Sequence, residues 1–220
     1  MRIGFVSLHY PPYATSLSGV FTYIEMLAKL LAEAGHSVQV VTPCRSFWNP
    51  AIVEAAADSL EFDNGITVHR LFCRNEDEFA WKAAARYRAI EAAGLVDVWE
   101  MQEYHAPPFW FHLCALRKER KTPLLITSHS SSALCLFYSG VCQTPNAYEK
   151  RSLREHLLVA AADGVKTPSK MHADTLQALL GLKEPPTPVW YAVDAPPPAP
   201  EGQRREKTIL VSGSVSLRKG

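Results

Sequence analysis

The sequence predicts an α/β fold: an open parallel sheet with helices on both faces. Three observations carry this expectation. Short, almost uninterrupted apolar runs suit strands that are covered on both sides. They alternate with stretches in which apolar residues recur with a period of 3.6. The first strand–helix–strand succession closes within about 42 residues, the size of a right-handed parallel βαβ unit.

Composition agrees. The 220 residues, 47% hydrophobic, suffice for one large domain or slightly more with an ample core, which excludes a disordered chain or a disulfide-dependent miniprotein. Lys and Arg total 23 against 22 Asp and Glu, so no global field draws nucleic acid. The five cysteines, Cys44, Cys73, Cys114, Cys135 and Cys142, contain no CxxC pair and no zinc ribbon. They read as buried thiols in a reducing cytosol. No apolar run reaches the roughly 20 residues of a membrane span, and the run after Met1-Arg2 is too short for a signal peptide. The expectation is a cytoplasmic chain that starts directly in folded structure.

Ile3 to Leu8 is the first strand, ended by Tyr10-Pro11-Pro12. After the small-residue stretch Ala14 to Gly19, Val20, Ile24, Leu27, Ala28 and Leu31 mark the inner face of a helix, with Glu25, Lys29 and Glu33 outside. Gly35 follows at C′, and Val38 to Val41 form the next strand. Asp63-Asn64-Gly65 predicts a hairpin or turn between Leu60–Phe62 and Ile66–Phe72. A helix over Glu76 to Ala93 is closed by Gly94. Val96 to Trp99 and Leu124 to Thr127 are strands flanking a helix from about Pro108 to Arg120. Asn146 is placed to cap a helix running to Ala162. Val165 to Thr167 is a brief strand, and Ser169 caps a helix ended by Gly181.

Composition then changes, since seven of the 16 prolines fall within 185–200. This predicts a first domain over 1–184 and a semi-rigid linker over 185–207. Thr208 to Gly213 reads as another buried strand that has nothing to pack on. Residues 208–220 are therefore expected to open a second, otherwise missing domain.

In open parallel sheets, ligands gather beyond the carboxyl ends of strands. The loop Tyr13 to Gly19 offers small side chains and backbone N–H groups at a helix start, suited to phosphate, or else it is a plain connection. It lacks G-x-G-x-x-G, which disfavours an NAD-dependent oxidoreductase. Glu100 to His105 place carboxylates and an imidazole at one strand end. Glu103 and His105 alternate onto one face, as a base, as partners for a hydroxyl-rich ligand, or as a solvated loop. His129 lies among the hydroxyls of Ser128 to Ser132; with no G-x-S-x-G elbow, this is a polar pocket wall and not a hydrolase nucleophile. The cations Arg117, Lys118, Arg120, Lys121, Lys150, Arg151 and Arg154 complement helix ends or meet an anionic membrane surface.

Taken in order, these residues resemble family 4 of the glycosyltransferases, with the GT-B fold. Met1-Arg2-Ile3 with Tyr10-Pro11-Pro12, the loop ending Ser18-Gly19-Val20, Leu30 to Thr42, Asp97-Val98-Trp99-Glu100, Pro123 to His129, Ala161 to Ser169 and Trp190 to Asp194 all follow the family's order. Ile209 to Gly220 is similar to its "ILFVGRL-x-x-x-KG". The resemblance implies retaining transfer of a sugar from a nucleotide donor to a hydroxyl of a glycan or lipid-linked glycan. The cleft would lie between two Rossmann-like domains, of which this is the N-terminal, acceptor-side one. It implies no metal and no cofactor besides the nucleotide-sugar substrate, no nucleic acid partner, and work in the cytoplasm or at the inner face of the cell membrane. The implied site has His129 and Glu103 as catalytic residues, Ser18, Gly19, Arg218 and Lys219 on the donor phosphates, and Tyr10, His105 and Ser130 on the acceptor. The chain alone would be inactive. Three departures stand out: Ser18 replaces a glycine, Ser214 replaces an arginine, and Tyr191-Ala192-Val193-Asp194 replaces "NGVD". They leave open a non-catalytic module of the same fold that binds a sugar or a partner.

Overall fold

A computed structural model describes residues 1–8, 10–11, 19–44, 57–104, 106, 122–132 and 145–190. The strands are β1 (Arg2–Val6), β2 (Ser37–Pro43), β3 (Ser59–Asp63), β4 (Ile66–Leu71), β5 (Val98–Gln102), β6 (Leu124–Thr127), β7 (Gly164–Thr167) and β8 (Thr187–Pro188). The helices are α1 (Gly19–Glu33), α2 (Glu76–Ala92), α3 (Pro145–Ala160) and α4 (Lys170–Leu180). One sheet runs in the order β3-β4-β2-β1-β5-β6-β7-β8. Every neighbouring pair is parallel except β3 with β4.

Alternation along the strands makes two cores. Ile3, Phe5, Val38, Val40, Ile66 and Val68 face α1, which covers them with Ile24 and Ala28. Val6, Val41, Trp99, Met101, Leu124 and Ile126 face the other way, with Phe79 and Tyr87 of α2, Leu158 of α3 and Leu176 of α4. Trp99 stacks on Tyr87 at 4.2 Å between ring centres. Gly4 makes room for that indole, because a Cβ there would lie 2.4 Å from the ring.

The local punctuation works as the sequence suggests. Asn64 (φ 46°) and Gly65 (φ 86°) form the two-residue turn between β3 and β4, a left-handed pair that matches strand twist. At the end of α1, Gly35 N–H donates to the Ala32 carbonyl at 2.9 Å and His36 N–H to the Leu31 carbonyl at 3.0 Å, the paired bonds of a Schellman end. Asn75 Oδ1 caps α2 through Glu78 N–H at 2.8 Å.

Several boundaries differ. β1 ends at Val6, two residues early. β5 starts at Val98 and reaches Gln102, because Asp97 is held in the preceding turn by Arg2: the carboxylate accepts from Arg2 N–H at 2.8 Å and pairs with its guanidinium at 2.5 Å. α3 begins at Pro145, a residue type suited to a first helical position because it has no N–H to satisfy. Asn146 therefore lies inside the helix and does not cap it. The stretch expected to be linker from 185 instead opens with β8, where Thr187 and Pro188 pair with Lys166 and Thr167 at a sheet edge that tolerates proline. The expected helix over 108–120 and the segment 191–220, including the strand from 208, lie outside the described residues.

Candidate functional site

β1 leads through α1 to β2 on one side, while β5 leads to β6 on the other. The strand order thus reverses between β1 and β5, the kind of switch point at whose carboxyl ends open parallel sheets take ligands. Gln102 Nε2 donates to the Val20 carbonyl at 3.3 Å, tying β5 to the first turn of α1, which starts at Gly19.

Glu100, expected beyond the strand, lies within it and is 6% exposed. Its Oε1 accepts from Tyr23 OH at 2.6 Å and Thr127 Oγ1 at 2.8 Å, and its Oε2 pairs with Lys166 Nζ at 2.8 Å. A carboxylate at this depth requires such donors. Glu100 is therefore an anchor joining α1, β5, β6 and β7, and Lys166 also sits 5.5 Å from the Tyr23 ring centre.

A second buried carboxylate shapes the loop after β6. Glu103 is 0% exposed. It accepts from His129 N–H at 3.0 Å, Ser130 N–H at 2.8 Å and Ser128 Oγ at 2.9 Å. Burial, with nearby Glu155 adding to it, pushes the Glu103 carboxyl up to about 7, against the pull of those three donors. Glu155, also 0% exposed, accepts from Ser132 N–H at 2.7 Å and Ser132 Oγ at 2.5 Å. The N–H groups of His129, Ser130 and Ser132 therefore turn inward to the protein's own carboxylates. They are not free to cradle a phosphate, and what this loop offers a ligand is side chains.

The His129 ring packs edge-on against Tyr23 at 5.0 Å. Burial, then the charge of Lys166 and the presence of His172, holds its proton affinity down to about 3. At neutral pH the imidazole is uncharged, with one nitrogen donating and the other accepting.

Of the residues expected in the site, His129, Glu103 and Ser130 meet in this loop, and Gly19 opens α1 beside Gln102. Tyr10 joins the core cluster with Phe5, Tyr23 and Ile24 and is 7% exposed. Burial, with Glu25 and Asp63, pushes its hydroxyl up to about 12. Ser18, His105, Arg218 and Lys219 lie outside the described residues. Sequence reasoning missed Tyr23, Lys166, His172 and Glu155. A signal existed for Glu100 and Gln102: they alternate with buried Trp99 and Met101, so they share the opposite face of one strand. No signal linked His172 or Glu155 to β6, because both arrive through tertiary packing.

Residues 17–194 match the family model described as Glycosyltransferase Family 4. The chain belongs to that family. UGT2 of Phytolacca americana, solved with UDP-2fluoro-glucose and pterostilbene, aligns with TM-score 0.53 and 13% identity over 88% of this family 4 chain and 55% of that one. A UGT transferase from Siraitia grosvenorii in complex with UDP aligns at 0.46 and 11% over 86% and 50%. The α,α-trehalose 6-phosphate synthase of Burkholderia multivorans aligns at 0.46 and 14% over 81% and 42%. These neighbours are GT-B glycosyltransferases, and the described sheet is an α/β fold of that kind. The chain spans about half the length of each. No curated protein matches its sequence. Among the described residues, no helix is long and apolar enough to cross a membrane.

Proposed function

We propose that this family 4 chain is the N-terminal, acceptor-side half of a retaining glycosyltransferase. Its reaction moves a sugar from a nucleotide donor to a hydroxyl of a glycan or lipid-linked glycan. The observation that carries the reading is His129: a neutral imidazole at the carboxyl end of β6, on a loop held from below by Glu103. An uncharged ring can hydrogen-bond a sugar hydroxyl and orient it without adding charge to the reacting centre. The departing diphosphate needs cations and N–H groups. The start of α1 at Gly19 supplies N–H groups, and Arg218 and Lys219 of the sequence are the cations this reading assigns to the phosphates.

In this reading Glu103 does not touch substrate, since it is fully buried; it is a positioning residue acting through the loop. Ser130, half-buried beside His129, meets the acceptor in this reading. The reaction uses no metal. It proceeds in the cytoplasm, at the inner membrane face when the acceptor is lipid-linked. The length of the solved neighbours, about twice that of this chain, supports a nucleotide-binding second half.

The test is turnover of a panel of nucleotide-sugars by the 220-residue chain and by the longest product of its gene, with activity expected only in the latter. Equal rates from the short chain would overturn the half-enzyme reading, and failure of both to bind or turn over any donor would overturn glycosyl transfer. In the active protein, His129→Ala should lower turnover more than about tenfold. Stability should fall by about 2 kcal/mol, for the lost Tyr23 contact and the lost burial of the ring. A collapse of stability instead would make His129 structural.

A further inference from the structure

We propose that Glu103, Ser128 and His172 form one proton relay, with His172 as its outer end and as a positioning residue for the loop that presents His129. Ser128 Oγ lies 2.9 Å from Glu103 Oε1 and 2.9 Å from His172 Nε2. A hydroxyl has one proton and cannot donate to both. With Glu103 ionised, Ser128 donates to the carboxylate and His172 must donate to Ser128 through Nε2–H. With Glu103 protonated on Oε1, the carboxyl donates to Ser128, Ser128 donates to Nε2, and the ring must carry its proton on Nδ1.

The two arrangements differ by one proton. A proton from solvent binds His172 Nδ1, the Nε2–H bond breaks as its proton passes to Ser128 Oγ, and the proton of Ser128 passes to Glu103 Oε1. The ring is neutral before and after. Glu103 is fully buried, whereas His172 is half-buried on α4, so the relay gives the carboxyl a route to solvent. The ring is also held by its backbone, since Ser169 Oγ accepts from His172 N–H at 3.2 Å.

The groups facing this chain set its balance. Glu155 of α3 favours a protonated Glu103, while the N–H groups of His129 and Ser130 favour the ionised form. Lys166 of β7 is engaged by Glu100 of β5, and His129 itself is held neutral. N–H bonds to a carboxylate are stronger than those to a neutral carboxyl. Proton uptake therefore loosens the grip on His129 and Ser130, and the relay sets how firmly His129 is presented. The relay rests on geometry alone; its effect on turnover rests on the glycosyltransferase reading.

The test is NMR of ¹⁵N-histidine and ¹³C-glutamate in the 220-residue chain from roughly pH 5 to 9. His172 should change from the Nδ1–H to the Nε2–H tautomer with the same midpoint as the Glu103 carboxyl. Ser128→Ala leaves both backbone bonds to Glu103 and should separate the two midpoints. A single His172 tautomer while Glu103 titrates, or unchanged coupling in Ser128→Ala, overturns the relay. In the active enzyme, Ser128→Ala should move the acid limb of kcat by about half a pH unit or more with the donor KM within about twofold. An unmoved limb overturns the positioning role. The NMR outcome needs no substrate and stands apart from the fate of the glycosyltransferase reading.

Discussion

Buried carboxylates persist only where donors surround them, and Glu100, Glu103 and Glu155 each show a different set. Glu100 has a cation, Lys166. Replacing that cation by an apolar chain of similar length leaves a buried charge with only two hydroxyl donors. Lys166→Met should therefore cost about 3 kcal/mol in urea unfolding. Because Lys166 also depresses the His129 proton affinity, the same variant should make His129 titrate at higher pH by NMR. Loss of stability without that second change would mean the Lys166 charge does not reach the imidazole.

Elements whose ends are written in local chemistry are legible in the amino-acid sequence. Ser169 accepts from His172 N–H at the start of α4, and Gly181 (φ 61°) closes it; both follow from residues within one turn. Ser169→Ala should cost about 1 kcal/mol in denaturant unfolding, and a change of only about a tenth of that would show that solvent satisfies the freed N–H groups equally well. The start of β5 is hidden for the opposite reason: the Arg2–Asp97 bonds that set it join residues 95 apart in sequence. Glu100 accordingly reads as a loop residue in the sequence when it is a strand residue packed under α1. The Glu103–Ser128–His172 chain is illegible on the same grounds, since its members come from the end of β5, the end of β6 and the start of α4.

For the whole molecule, pH acts through opposing groups. Glu103 is raised to about 7 in the fold against about 4.3 unfolded. Its contribution to stability is fully present below the unfolded value and is lost as pH rises through about 7. Relative to the parent, Glu103→Gln should gain roughly 3 kcal/mol of stability between about pH 4 and 8, read by urea titration at each pH; a flat difference would mean that burial does not govern this carboxyl. His69, lowered to about 4 by burial and Arg86, and His129, lowered to about 3, act in the other sense. The stability of their neutral forms is present above about 6.5 and is lost as pH falls through those values. Between roughly pH 4.3 and 6.5 the two effects oppose each other.

By itself, the sequence determined the α/β class, the ends of α1 and α4, the hairpin turn, the family and the strand end that bears His129. Each of these is a matter of period, turn chemistry or ordered motif within short reach along the chain. Tertiary structure alone decided which carboxylates are sealed and what they hold. It drew Tyr10 into the core, made Glu100 an anchor, and turned the loop N–H groups of His129, Ser130 and Ser132 toward Glu103 and Glu155. Burial and pairing depend on what arrives from distant elements, and no local pattern carries that information.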